Sequence, residues 1–380
     1  MLSSQTFAIR PLPTLVFGAD TSLQLGAHVK ALGLSAALVV TDRALHATGL
    51  AAPALDALAR DGVRVEVFDG VAPNPTDRNV EDGAQMLRDL GKACVLAFGG
   101  GSSMDCGKAI ALLAPNGGTV QALQSSAPAH PGAPVIAVPT TAGTGSETNN
   151  ACVITNTQLG RKTYVIHPTI TPAVAVLDPK LTLGLPAYPT ATCGFDVLTH
   201  AIEAFVSIRA TPYSDAVALE AIRMTAGHLR TAVGNGADLE ARAQMMLASS
   251  MAAIAFNVCG LGAAHGTGHA LSARLNAAHG QTLATMLPHV MAFNLPACAE
   301  KYAAVARILA PDGPATGAAA VDAVLRLRDD IGLDRSIRAL GGDDALLPVL
   351  VADAAADLVN RTNPRPVDQT ALDALYRAAW

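Results

Sequence analysis

ACVLAFGGGSSMDCGKAIALL, residues 93–113, decides the fold. A short apolar run, Ala93–Phe98, stops at three glycines and gives way at once to a stretch with helical spacing, Met104–Leu113. That is the strand, turn and helix of an open α/β sheet, and the unbroken apolarity of the strand predicts cover on both of its faces. The same reading extends outward to Ala36–Thr41 (AALVVT), Val63–Phe68 (VRVEVF) and Pro134–Pro139 (PVIAVP), which alternate with helical stretches up to about residue 180. After Pro186 the strand-like runs stop, and Ala- and Leu-rich segments such as Asp215–Val233, Leu239–Phe256 and Ala319–Asp330 repeat with helical spacing. The expectation is an α/β domain with an open, mainly parallel sheet over residues 1–185, then an all-α domain over residues 186–380. The segment Leu183–Pro189, with its two prolines, marks the boundary.

Composition narrows the function classes. The 380 residues are 51% hydrophobic, 15% charged and only 4% aromatic, so a large core must be built from Ala, Leu and Val. A net charge of −5 leaves no basic footprint for nucleic acid. The N-terminus MLSSQTFAIRPLPTLVFG lacks the basic and apolar regions of a signal peptide, which points to the cytoplasm. The most apolar long stretch, Ala248–Ala264, contains Asn257 and runs into a histidine cluster, and reads as one buried helix rather than a membrane span. Cys94, Cys106, Cys152, Cys193, Cys259 and Cys298 lie far apart with no CxxC pair, as expected for free thiols.

The turn Gly99-Gly100-Gly101-Ser102-Ser103 has the properties of an anion cradle. Glycines let the backbone approach a phosphate, and the helix that follows offers free N–H groups and a positive dipole end. It is not a P-loop, because Gly107-Lys108 is followed by Ala109, and the GxGxxG fingerprint is absent. A pyrophosphate turn outside both patterns is the best local reading. Asp42, at the carboxyl end of a predicted strand, is placed to accept hydrogen bonds from a ribose and to repel a 2′-phosphate, which favours NAD over NADP. It can also simply cap the next helix. The loop Pro139-Thr140-Thr141-Ala142-Gly143-Thr144-Gly145-Ser146-Glu147 follows another strand and supplies hydroxyls and glycines that can bind phosphate, ribose or carboxamide without adding charge.

In the helical half, Asp196 and His200 stand four apart, on one face of a helix. His265 and His269 repeat that spacing, and His279 follows, so three imidazoles fall within fifteen residues of an apolar setting. The pair resembles a zincin's, but Gly266 stands where HExxH needs its glutamate, so a metalloprotease is rejected. One carboxylate with several imidazoles suits Fe2+ or Zn2+ among first-row ions, and spacing leaves open which of the three histidines are ligands. His28, His46, His130, His167, His228 and His289 are scattered and read as structural.

With these motifs in view, the chain resembles the iron-containing, or group III, alcohol dehydrogenases. The matching stretches are GGGSSMDCGKAIA from 99, PTTAGTGSE (139–147), LDPKLTLGLP (177–186), GFDVLTHAIEAF (194–205), GLGAAHGTGHAL (260–271) and AAHG (277–280). They span nearly the whole chain. The resemblance implies that Asp196, His200, His265 and His279 bind the metal and that His269 lies beside the nicotinamide as a catalytic group. It also implies that Gly99, Gly100, Gly101, Ser102, Asp105, Thr140, Thr141, Thr144 and Lys162 approach the dinucleotide, and that Asp42 favours NAD. GTGHALSARLNAAHG lacks the proline that commonly follows this histidine in the family, which bears on the shape of the substrate pocket.

The expected reaction is hydride transfer between NAD and a small, primary alcohol or aldehyde, with the metal as Lewis acid and His269 as proton relay. Three alternatives share the general plan. A dehydroquinate synthase-like lyase needs several basic residues for a phosphorylated acid, and the helical half has few. Maleylacetate reductase-like relatives need no metal, and a glycerol dehydrogenase-like enzyme fits the motifs less well. A purely oligomerising or metal-storage role leaves the glycine turn and the hydroxyl-rich loop without purpose. The C-terminal helices offer surface for a dimer or larger homo-oligomer.

Overall fold

The computed structural model describes residues 6–9, 12–125, 128–159 and 161–380. The chain divides into two compact units. One runs from residue 12 to Leu183 without Ala142–Thr144, and the other comprises Gly184–Trp380, Ala142–Thr144 and residues 6–9.

The strands of the first unit are β1 (Thr14–Phe17), β2 (Ala36–Val40), β3 (Arg64–Phe68), β4 (Cys94–Gly99), β5 (Val135–Pro139), β6 (Ala151–Asn156), β7 (Arg161–Ile166) and β8 (Val174–Leu177). Its helices are α1 (Leu25–Ala31), α2 (Arg43–Ala47), α3 (Ala52–Arg60), α4 (Asp77–Leu90), α5 (Gly101–Asn116) and α6 (Val120–Ser125). Six strands form one parallel sheet in the order β1-β8-β5-β4-β2-β3, while β6 and β7 make a separate antiparallel hairpin. Successive residues of β2 and β4 point to opposite faces, and both faces are covered. Leu38, Val40, Val95 and Ala97 join one apolar layer with Val80, Leu87 and Ile110. Ala37, Val39, Leu96 and Phe98 join another with Leu25, Val29 and Leu58. This is the expected open parallel sheet. β1, β8 and the hairpin were not among the predicted strands; β1 and β8 are only four residues long, too short to show a period.

The second unit contains α7 (Ala187–Val206), α8 (Pro212–Gly234), α9 (Leu239–Cys259), α10 (Ala263–Leu275), α11 (His279–Leu309), α12 (Gly317–Asp330), α13 (Leu347–Ala355) and α14 (Gln369–Ala378), and no strand among the described residues. Local signals set the ends. Thr211 and Ser214 form a capping box before α8, with Pro212 at its first position, and Asp238 caps α9 through the Ala241 N–H. α11 bends at Cys298, where φ is −128° and ψ 17°, just beyond Pro296. The apolar stretch Ala248–Ala264 is not one helix. It ends α9 and begins α10 at an angle of 110°, because Gly260 takes φ +81° and terminates the first helix. No single helix among the described residues is long and apolar enough to cross a membrane.

All six cysteines are free. Burial pushes the thiols of Cys94 and Cys193 up to about 12 and those of Cys259 and Cys298 up to about 11, which keeps them as inert thiols.

Candidate active site

In the α/β unit the strand order reverses between β2 and β4, since β3 lies outside β2 and the chain then returns to the other side. Ligands of open α/β sheets bind at the carboxyl ends of the strands flanking such a switch point. Asp42 follows β2 and the triple glycine follows β4, so the sheet brings together two features that are far apart in sequence. Gly99 has φ +149°, and a Cβ there would lie 2.5 Å from Ser103 Oγ, so the turn requires glycine. No side chain caps α5, which leaves its first N–H groups available to an anion. Thr140 N–H donates to Gly99 O at 2.9 Å, and Thr141 packs against Gly100, which holds the hydroxyl-rich loop beside the turn.

Other predicted dinucleotide residues have protein partners of their own. Asp42 Oδ1 accepts from Leu45 N–H at 2.8 Å and caps α2. Ser102 Oγ donates to Pro73 O at 2.5 Å. Asp105 accepts from Ser146 Oγ (2.6 Å) and from Val153 N–H (2.9 Å), which ties α5 to the end of the loop and to β6. Lys162 lies on β7, opposite Thr155; burial depresses its ammonium while Asp105 counteracts. Thr144 falls in the segment that packs with the helical unit.

The helical unit brings the other predicted residues to one point. Asp196 and His200 project from α7, His265 and His269 from α10, and His279 from the first turn of α11. Asp196 Oδ1 lies 3.3 Å from His200 Nε2, 3.4 Å from His265 Nε2 and 3.7 Å from His279 Nε2. Ligand atoms of Asp196, His265 and His279 all lie within 4.8 Å of one another. Two of the converging atoms, Asp196 Oδ1 and His265 Nε2, are buried without a hydrogen-bond partner. Such atoms are costly to bury unless something else satisfies them. Ligands at ~2.1 Å from a tetrahedral ion are ~3.4 Å apart, so the donor set fits a divalent cation in both chemistry and spacing. Close backbone contact holds the arrangement: a Cβ on Gly280, next to His279, would lie 1.9 Å from Thr192 O on α7.

Electrostatics suits the same role. Burial alone would push the Asp196 carboxyl up, but the imidazoles of His200, His279 and His265 hold it well below the usual carboxylate range. Burial pushes the His200 ring down to about 4 and that of His279 well down, so both are neutral donors at pH 7. For His265, burial is outweighed by Glu203 and Asp196, which raise it to about 9; a cation that takes Nε2 must displace that proton.

Two carboxylates of the site escaped the sequence reading. Glu203 Oε2 accepts from His265 Nδ1 at 2.5 Å and Oε1 from Ala264 N–H at 2.7 Å. Its signal was present, since Asp196, His200 and Glu203 stand at i, i+4 and i+7 on one face of α7. Asp357 Oδ2 lies 2.7 Å from His269 Nδ1 and had no local signal at all. A carboxylate behind a ligating histidine orients the ring and raises its basicity. Glu203→Gln should therefore weaken divalent-metal affinity by about 10–100-fold, as measured by chelator competition, with the fold unchanged. An unaltered affinity would make Glu203 a mere cap of α10.

The α/β unit thus carries a glycine turn at the carboxyl end of its sheet and the helical unit a carboxylate-imidazole cluster that fits a divalent cation, and comparison with known proteins shows the family. Residues 13–179 match the family of iron-containing alcohol dehydrogenases, and residues 190–380 match the C-terminal part of that family. The 1,3-propanediol dehydrogenase of Citrobacter freundii is 39% identical over 372 residues, 96% of each chain. The NAD-dependent methanol dehydrogenase of Bacillus methanolicus is 38% identical over 359 residues, 93% of this chain and 94% of its own. Sulfoacetaldehyde reductase from Bifidobacterium kashiwanohense, solved in complex with NAD+, superposes with a TM-score of 0.92 at 30% identity, covering 99% of both chains. The chain belongs to the iron-containing alcohol dehydrogenase family.

Proposed function

We propose that this protein is a metal-dependent, NAD-linked dehydrogenase of small primary alcohols that also reduces the corresponding aldehydes. The observation that carries this reading is the convergence of three imidazoles on one buried carboxylate oxygen in the helical unit. The residues proposed to hold the ion are Asp196, His200, His265 and His279. Iron is the family's metal, and zinc or another first-row divalent ion suits the same donors. When bound, such an ion supplies Lewis-acid polarisation of the substrate oxygen. The chain's own groups do the rest. The glycine turn Gly99–Gly101 and Ser102, at the start of α5, receive the pyrophosphate. Thr140, Thr141 and Thr144 on the hydroxyl-rich loop and Lys162 on β7 complete the dinucleotide contacts, and Asp105 holds the end of that loop through Ser146. Hydride moves between the carbinol carbon and nicotinamide C4, and His269 takes the hydroxyl proton.

The test is NADH absorbance with short alcohols, using protein stripped by chelator and resupplied with Fe2+, Zn2+, Mn2+ or nothing. Metal-restored net NADH formation is expected. Turnover without net NADH would instead indicate a lyase, and full activity without metal would remove the metal mechanism.

Asp42 has one oxygen on the α2 cap, and a carboxylate has a second oxygen for the adenosine ribose. Asp42→Ala should relax the preference for NAD over NADP, read as the ratio of kcat/KM for the two cofactors. An unchanged ratio would reduce Asp42 to its capping role.

The proposed partners are small molecules and another copy of this chain. A net charge of −5 offers nothing to nucleic acid, and no single helix among the described residues is long and apolar enough to cross a membrane. Homo-oligomer formation is supported by β1. It is an edge strand, paired with β8 along one side, and leaves Leu15 37% and Phe17 43% exposed. An exposed apolar edge is a template for another strand. Leu15→Lys with Phe17→Lys should shift a dimer to monomer in sedimentation, and no change in mass would place the interface elsewhere.

A further inference from the structure

His269 differs from the other clustered histidines. It sits on α10 one turn beyond His265, with a side chain 31% exposed, and its ring centroid lies 5.3 Å from that of His279 and 5.7 Å from that of His265. Its Nδ1 meets Asp357 Oδ2 at 2.7 Å. A carboxylate can only accept, so Nδ1 must carry the proton, and of the two imidazole tautomers this one has its lone pair on Nε2.

Asp357 is held in place by contacts that do not involve His269. Its other oxygen, Oδ1, accepts from Val359 N–H at 3.1 Å and caps the short turn Leu358–Thr362. That turn is fastened to α10 and its approach. Asn360 packs where a Cβ on Gly266 would stand, the Thr362 hydroxyl donates to Leu261 O, and Asn363 Oδ1 accepts from Ala263 N–H at 3.2 Å. Asn363 is in turn locked by reciprocal bonds of 3.0 and 2.8 Å with the buried Asn294. The segment thus presents one carboxylate oxygen to α10 from a fixed place.

We propose that Asp357 is a positioning residue for the reaction: it fixes His269 in the Nδ1–H tautomer and so keeps Nε2 free to accept the alcohol proton. This rests on the dehydrogenase reading given above. In the oxidation direction the hydroxyl O–H bond breaks and its proton passes to Nε2. The carbinol C–H electron pair goes as hydride to nicotinamide C4, and the imidazolium, steadied by Asp357, returns its proton to water. Alcohol and NAD+ become aldehyde, NADH and one proton, with His269 restored.

Asp357→Asn separates this role from a structural one. The amide oxygen can still cap the turn through Val359 N–H, while the amide NH2 faces His269 Nδ1 and favours the opposite tautomer. In zinc-loaded, 15N-histidine-labelled protein, long-range 1H–15N spectra should show His269 protonated on Nδ1 in the wild type and on Nε2 in Asp357→Asn, with His269→Gln identifying the signals. The same variant should keep its zinc content and lose about 10²–10⁴-fold in kcat, with KM for alcohol and NAD little changed. Wild-type His269 protonated on Nε2 would overturn the proposal even if the variant fails to fold. An unaltered tautomer or kcat in Asp357→Asn would do the same. If the wild type forms no NADH with any metal, the dehydrogenase reading fails instead, and the tautomer measurement still decides whether Asp357 orients the ring.

Discussion

Asp196→Ala protein should purify without its metal and lose at least about 10³-fold in turnover, because several kcal/mol of Lewis-acid stabilisation leave with the ion. Asp196 is the point on which the site converges: its Oδ1 lies within 3.3–3.7 Å of three Nε2 atoms and is the one carboxylate oxygen among them. Removing it leaves imidazoles that must share the whole charge of a dication in an apolar interior, where an uncompensated charge is least tolerated. The fold should survive. Alanine is the strongest helix former at a position inside α7, and the glycine turn proposed to receive the dinucleotide belongs to a unit with its own two apolar layers. Metal content by atomic emission and NADH binding by fluorescence should therefore separate: the first lost, the second kept. Full turnover in metal-free Asp196→Ala would end the metal mechanism.

His269→Ala should give the opposite pattern. The ring stands beside His265 and His279, with centroids 5.7 and 5.3 Å away, but its Nδ1 is engaged by Asp357 and it is not one of the histidines facing Asp196 Oδ1. Metal content should match the wild type while kcat falls about 10²–10⁴-fold, the usual worth of a positioned acid-base group. Loss of metal on this substitution would move His269 into the ligand set and displace one of the other three.

These two substitutions assign different roles to Asp196 on α7 and His269 on α10, a division that spacing alone does not make. His265 and His269 repeat the i,i+4 pattern of Asp196 and His200, so from the residues alone any of the clustered histidines could be a ligand. The resemblance to a family separated them. In the structure the separation has a physical basis: the Nδ1 atoms of His265 and His269 each meet a different carboxylate, Glu203 and Asp357, and only the Nε2 atom of His265 then faces Asp196. Glu203 was within reach of a careful reading of α7, because its helical position follows from counting. Asp357 was not, since the contact spans 88 residues and depends on how the Leu358–Thr362 turn packs onto Gly266.

The sequence by itself determined the fold class, the glycine turn and the chemical character of the carboxylate-imidazole cluster. Each is written in a local period or a short run of residue types: unbroken apolar strands covered on both faces, three glycines before a helix, imidazoles one helical turn apart. Only the tertiary structure decided the remainder. The reversal of strand order that sets Asp42 beside the glycine turn depends on which strands pair. The break at Gly260 that turns one apolar stretch into two helices depends on a backbone angle. Asp357 behind His269 is a long-range contact, and no local pattern records a contact whose two partners are free to vary independently along the chain.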